Sequence, residues 1–281
     1  MSQVQREYVL GTDDAELLRL GFQHRLWSEL AHGLWLRARV RPGEQVIDVG
    51  CGPGYASLDL AMIVGTSGGV FGLDESERFI NFAREQGAHR RLPHARFEVS
   101  DVADIERAVQ RAYGSSGPRF DLAYIRWVLC FVKVPRAVIQ SLARVMKPGG
   151  RVCIQDYFRY ETMSLAPRSD AFERVIAGIA RSWRSAGCDP DVMGRLPTLL
   201  VEAGFAIEHL APMAVRPARP GQPMWEWPDI FWKVFLPRLE AGGFITKDEH
   251  TAFLAEWARA CKDPGAFMHL PPMYELIALK A

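Results

Sequence analysis

Between Gln45 and Tyr157 short apolar runs alternate with longer stretches in which apolar residues recur every three or four positions. The runs are "QVIDVG", "GVFGLD", "ARFEVSD", "FDLAYIR" and "GRVCIQDY"; the stretches between them include "SERFINFAREQGA" and "VPRAVIQSLARVMKPGG". Runs apolar almost throughout predict strands buried on both faces, and the wider period predicts amphipathic helices. Parallel strands cannot be joined by a tight turn and need crossovers, which the helical stretches supply. The rhythm therefore predicts an α/β fold built on a doubly wound sheet. "EAGFAIEHLAPM" adds a sixth strand after a helix stop at Gly204, and "PPMYELIALKA" reads as a seventh.

Three segments break the rhythm. In "GTDDAELLRLGFQHRLWSELAHGLWLRARV", Asp13 with Glu16 forms a capping-box pattern, and Leu17, Leu20, His24, Trp27 and Ala31 recur at helical spacing. A long amphipathic helix is expected there, covering something as a lid. The second segment, Tyr160 to Arg195, holds the predicted helix "RSDAFERVIAGIARSWRSAG", stopped at Gly187. The third, Met213 to His269, is rich in proline and tryptophan; a turn-rich lead-in around Pro217 to Pro223 precedes two short predicted helices. The expected organisation is a helical lid over 1–44, a core over 45–157, a helical insert over 158–196, a return to the core over 197–212, a cap over 213–269 and a last core strand over 270–281.

Chemistry concentrates at the strand ends. In "VIDVGCGPG", Gly50, Gly52 and Gly54 follow an apolar strand, so the chain can turn sharply and pass close to a ligand without side chains in the way. A dinucleotide fingerprint needs its third glycine at position 55, which is Tyr55, and a pyrophosphate would be repelled by Asp48 in the turn. Asp74 ends the second strand at the separation expected of a carboxylate that holds both ribose hydroxyls. Asp101, with Val102 behind it, suits an adenine amino group and an apolar ring edge. The set describes a nucleoside without phosphate and with a cationic end. The plainer readings stand beside it: Asp101 as a helix N-cap, Arg126 paired with a surface acid, and the tryptophans Trp225, Trp227 and Trp232 with Phe235 as a small cap core.

"VIDVGCGPG", Asp74, the "SDV" after the third strand and "MKPGG" before the fifth together resemble the Rossmann-like class I methyltransferases that use S-adenosylmethionine. The likeness spans roughly Gln45 to Asp156 with the sixth and seventh strands. It implies a seven-stranded, mostly parallel sheet whose last strand is antiparallel, with the N-terminal lid and with helical cap inserts after strands 5 and 6. It further implies that Asp48, Gly50 and Gly52 line the methionine portion of the cofactor, that Asp74 holds the ribose and that Asp101 with Val102 holds the adenine. Arg126, ending the fourth strand in "AYIRWVLCF", and Gln23 on the N-terminal helix would border the methionine end. Transfer from a sulfonium is an in-line displacement, so alignment and exclusion of water are the protein's main tasks. Where a proton must be removed, His24, Tyr157 and His209 are the candidate bases; Trp27, Tyr157, Trp225, Trp232 and Phe235 are the candidate walls of the acceptor pocket.

Composition narrows the partners. The chain has 281 residues, a net charge of +1 and 48% hydrophobic residues, enough for one large domain with a cap. It has no basic stripe for nucleic acid, and no apolar run approaching a membrane span of roughly 20 residues. The charged start "MSQVQREYVL" leads us to expect a cytoplasmic protein. Five dispersed cysteines and no convincing histidine–carboxylate spacing predict no catalytic metal, and argue against thiol-mediated arsenic methylation. The expected activity is methylation of a small, largely apolar or aromatic metabolite, as in natural-product biosynthesis, at oxygen before nitrogen or carbon. A non-catalytic protein that binds the same cofactor and an NAD-dependent oxidoreductase are the alternatives, and a homodimer contact through exposed cap aromatics is a further expectation.

Overall fold

The computed structural model describes residues 14–114, 120–213 and 217–281. Each expected strand forms: β1 (Gln45–Val49), β2 (Gly69–Asp74), β3 (Ala95–Val99), β4 (Phe120–Arg126) and β5 (Met146–Tyr157). Then come β6 (Ser164–Ala166), β7 (Phe205–Pro212), β8 (Phe267–His269) and β9 (Met273–Lys280). Seven of them make one sheet in the order β3-β2-β1-β4-β5-β9-β7. The pairs from β3 to β5 are parallel, and β9 runs antiparallel between β5 and β7. The strand order reverses between β1 and β4, and a doubly wound sheet opens its ligand crevice at that point, beyond the carboxyl ends of the strands.

The period of two along the strands sorts their side chains between two faces. Val46, Val70, Leu122, Tyr124 and Cys153 meet α1 (Asp14–Arg37) and α2 (Tyr55–Val64) on one face. Ile47, Phe71, Ala123, Ile125 and Val152 face the other way, towards α4 (Ile105–Tyr113), α5 (Pro135–Val145) and α7 (Leu196–Glu202). Here α3 (Glu77–His89) precedes β3, and α6 (Asp170–Ser185) belongs to the first insert. The helix α1 docks through its second half: Trp35 stands edge-on to Tyr124 at 5.2 Å, and the buried Gln155 accepts from the Tyr124 hydroxyl while donating to the Leu30 carbonyl. Its first half is thereby carried past the sheet, over the strand ends. Asp13 of the expected capping box lies outside the described residues, and Glu16 instead forms an ion pair with Arg19.

The two inserts merge. The helices of the second, α8 (Pro223–Ala241) and α9 (Lys247–Ala260), are longer than the sequence pattern predicts, because α8 continues through Pro228 and Pro237. They pack on α6 of the first insert: Phe172 stacks on Phe253 at 5.7 Å and meets Trp232 edge-on at 6.0 Å, while Trp225 stacks on Trp257 at 4.4 Å. A two-stranded ribbon of β6 with β8 joins the same inserts. The cap aromatics Trp225, Trp227, Trp232 and Phe235 are buried within the chain rather than exposed.

Phe172 is the side chain shared by both inserts. Phe172→Ala should lower the unfolding free energy by about 3–5 kcal/mol, since the cavity it leaves lies among rings that cannot all collapse inward. Denaturant unfolding checks this, and a loss below about 1 kcal/mol would mean that the two inserts do not share a core.

Candidate functional site

The turn after β1 is shaped by its glycines. Gly50, Gly52 and Gly54 have φ of +68°, +53° and +81°, in the left-handed region. A Cβ on Gly54 would lie 2.7 Å from the Cβ of Ala83 in α3, so this glycine permits close packing of helix and loop. A Cβ on Gly52 would meet nothing within 4 Å, so this position borders open space. The Gly50 and Cys51 N–H groups donate to the Leu73 carbonyl, which ties the turn to the end of β2.

That open space is a cavity of about 600 Å³ at the carboxyl ends of β1, β2, β3 and β4. All eight residues expected at the cofactor line it: Gln23, Asp48, Gly50, Gly52, Asp74, Asp101, Val102 and Arg126. Asp48 is buried and accepts from the Ser57 hydroxyl at 2.5 Å; burial pushes its carboxyl up to about 6. Asp74 accepts the N–H groups of Gly52 and Ser76, each at 2.9 Å, and burial raises it also. Asp101 Oδ1 accepts the Ala103 N–H as an N-cap, and the residue also lines the cavity.

Arg126 emerges at the end of β4, where its guanidinium carbon lies 5.1 Å from the Trp127 ring centroid and 5.8 Å from that of Tyr124. Nη2 donates to His24 Nδ1 at 3.1 Å, and Nη1 is buried without a hydrogen-bond partner. An arginine can only donate, so Nδ1 of His24 carries no proton. The proton therefore sits on Nε2, which donates to Asp59 Oδ2 at 2.9 Å. Burial lowers the pKa of His24. The ring lines the cavity, but both nitrogens are committed, and it is not poised as a base.

A second space of about 60 Å³ lies beside the first. Leu20, Gln23, Trp127 and Phe131 border both. Its walls combine Tyr157 and Trp127 from the sheet, Tyr160 and Trp183 from the first insert, and Trp227 and Trp232 from the second. Gln23 Oε1 is fixed at the boundary by two donors, Arg19 Nη1 at 3.0 Å and Trp227 Nε1 at 2.8 Å.

Of the candidate walls, Tyr157 and Trp232 line this pocket, whereas Trp27, Trp225 and Phe235 do not. Trp27 stands behind it, edge-on to Trp127 and Trp227. Trp225 is spent on Trp257 and Phe235 on Phe231. His209 lies on the outer strand β7, hydrogen-bonded to Glu275 at 3.0 Å, and borders neither space. Burial pushes the Tyr157 phenol well above its ordinary value.

The sequence reading missed Trp127. With φ of +52°, a bulky residue in the left-handed region costs of order 1–3 kcal/mol, and packing holds it there. Its ring stacks on Trp227 and Tyr157, its indole N–H donates to the Met273 thioether sulfur Sδ at 3.0 Å, and its backbone N–H donates to the Gln155 carbonyl. Its place directly after Arg126 at a strand end was the available signal. Trp183 and Tyr160 had none, because only the tertiary fold brings the first insert to the pocket. Among the described residues, no three histidine, cysteine or carboxylate side chains group as a metal site, and no helix is long and apolar enough to cross a membrane.

The family model described as "Methyltransferase domain" matches residues 41–181. Trans-aconitate 2-methyltransferase of Variovorax paradoxus is 30% identical over 242 residues, covering 82% of each chain. A 2-phytyl-1,4-naphtoquinone methyltransferase of Trichormus variabilis is 34% identical over 144 residues, 50% of this chain and 57% of the relative, so the chain spans little more than half the length of that protein. A putative methyltransferase from Bacillus halodurans has the same fold, with a TM-score of 0.58 at 20% identity over 90% of this chain and 99% of its own.

Asp48 carries a pH signature. Its folded pKa of about 6 lies above the ordinary 3.8, so between those values the folded state holds a proton that the unfolded chain has lost. Its contribution to stability therefore falls as pH rises through that window. Asp48→Asn should gain on the wild type by up to about 3 kcal/mol between about pH 4 and pH 7. Urea midpoints across that range would show it, and a constant difference would count against a desolvated carboxylate.

Proposed function

The chain belongs to the methyltransferase-domain family, and from that premise we propose that it transfers a methyl group from S-adenosylmethionine to a small, largely apolar or aromatic acceptor, at oxygen. The observation that carries the reading is one cavity in which the buried Asp48 and the half-buried Arg126 stand beside a glycine turn, with Asp74 and Asp101 at the next strand ends. Asp48 and Arg126 complement the ammonium and carboxylate of an α-amino acid. Asp74 is preorganised by two backbone donors to accept ribose hydroxyls, and Asp101 with Val102 suits adenine.

The cavity fits the group by two tests of this chain alone. Gly52 leaves room that a side chain would fill, and Arg126 Nη1 lacks a partner that a carboxylate would provide. Bound there, S-adenosylmethionine would supply a methyl group activated by the adjacent sulfonium. The chain's own contribution is to hold the acceptor next to that cavity and to keep water out, through the aromatic walls and the boundary of Leu20, Gln23, Trp127 and Phe131.

The lining of the smaller pocket narrows the acceptor. Among its described residues are no histidine and no carboxylate, which suits an acceptor that is nucleophilic without a protein base, as a carboxylate or an acidic phenol is when ionised and an amine is when neutral. The relative named for trans-aconitate agrees with a carboxylate acceptor. An acceptor pocket adjoining the cofactor cavity speaks for an enzyme over a protein that only binds the cofactor. Tyr55 in place of a third glycine speaks against NAD.

Calorimetry with S-adenosylhomocysteine and NAD in parallel, then a panel of carboxylate, phenol and amine acceptors read for a gain of about 14 Da, tests the proposal. Binding of NAD alone would end it; cofactor binding with no acceptor gaining mass would leave the non-catalytic alternative. Asp74→Ala should weaken S-adenosylhomocysteine by about 1.5–3 kcal/mol with the fold intact. Gly52→Val should abolish binding by bulk, and normal affinity in that variant would contradict close approach of the backbone.

A further inference from the structure

His24 and Asp59 do nothing in the chemistry outlined above, yet they form a continuous hydrogen-bonded chain to the cavity. Asp59 Oδ2 receives His24 Nε2 at 2.9 Å and His32 Nε2 at 3.2 Å, and His24 Nδ1 receives Arg126 Nη2 at 3.1 Å. The His24 ring lies flat against Tyr55, 5.7 Å between centroids and 22° between planes. Only one tautomer of His24 satisfies both neighbours, and the Asp59 carboxylate selects it by requiring a donor at Nε2. The guanidinium has several ways to turn, and this contact fixes one of them, leaving the buried Nη1 without a partner at the cavity.

We propose that His24 and Asp59 are positioning residues which orient the Arg126 guanidinium to receive the carboxylate of the cofactor's methionine end. The proposal rests on the reading above that S-adenosylmethionine occupies the cavity. It gives the two helices on one face of the sheet a shared task, since α1 brings His24 and α2 brings Asp59 to a side chain at the end of β4. It also explains why a histidine on the lid helix is buried beside a cationic side chain: neutral, with its lone pair towards the arginine, it is an acceptor there and not a rival charge.

Two ligands separate this role from a structural one. S-adenosylhomocysteine carries the amino-acid carboxylate; 5′-methylthioadenosine keeps the adenine, ribose and sulfur but lacks it. His24→Leu should weaken the first roughly ten-fold and the second less than about two-fold, as expected for losing one hydrogen bond that aims a charged group. Arg126→Met, which removes the receiving group, should show the same selective loss. His24→Asn, which puts an oxygen acceptor near the place of Nδ1, should recover most of the affinity. Asp59→Asn keeps the volume and removes the charge that sets the tautomer, and it should repeat the selective loss even where His24→Leu folds poorly.

A pH series adds a second readout. The charged and titratable groups facing His24 are Asp59 and Tyr55 from α2, His32 from its own helix and Arg126 from β4. Protonation places a hydrogen on Nδ1 and ends its contact with Arg126, so affinity for S-adenosylhomocysteine should fall more steeply towards acid in the wild type than in His24→Asn. Asp48 and Asp74 are common to both proteins, so the difference belongs to His24. Equal loss of both ligands in His24→Leu and Asp59→Asn, no recovery in His24→Asn, or parallel pH profiles would each overturn the positioning role while leaving the cofactor reading intact. A wild-type protein that binds neither ligand would overturn both.

Discussion

A buried carboxylate stands near the carboxyl end of β1, beside the strand-order reversal of the sheet. Asp48 is buried, its one close side-chain partner in the fold is the Ser57 hydroxyl, and the nearest compensating positive charge is Arg126 across the strand-order reversal. Such a group is costly to keep ionised unless its surroundings return part of what solvation gave. Much of the site follows from that demand. The arginine must stay close, so it is held by His24; the histidine must stay neutral and oriented, so it is held by Asp59; and α1 must dock far enough to deliver the histidine. The arrangement is a polar chain inside an apolar shell, in which each member is oriented by the next.

The sheet itself was legible because both of its faces are covered, which forces nearly unbroken apolar runs with helices between them. The β1 turn was legible because its glycines are required by backbone conformation, and Asp74 and Asp101 because strand ends are where such folds bind ligands. Seven of the eight expected positions converge on one cavity for that reason, being local to strand ends that share one edge of the sheet, while Gln23 reaches it from α1.

The acceptor side resisted the same treatment. Apolar rings at helical spacing look alike whether they face a partner helix or a pocket, so Trp225 and Trp232 could not be told apart, although the first is consumed by Trp257 and the second reaches the pocket. His209 could not be placed from sequence, because pairing register, set by contacts far along the chain, puts it on the outer strand beside Glu275. His24 reached the site, but its role reversed. In the sequence it is one of three candidate bases; with both ring nitrogens engaged it is an orienting acceptor, and that depends on Asp59 and Arg126, which are distant in sequence.

The ribbon of β6 with β8 and the shared core of α6, α8 and α9 bear on how acceptor preference could be changed. Segments on either side of β7 in the sequence wall one pocket and are stitched together by backbone pairing. Neither can be exchanged for that of another protein without stranding unpaired edge groups and an exposed ring face on the one left behind. The unit of exchange is therefore the pair of inserts, transplanted together onto a sheet whose cofactor edge stays as it is.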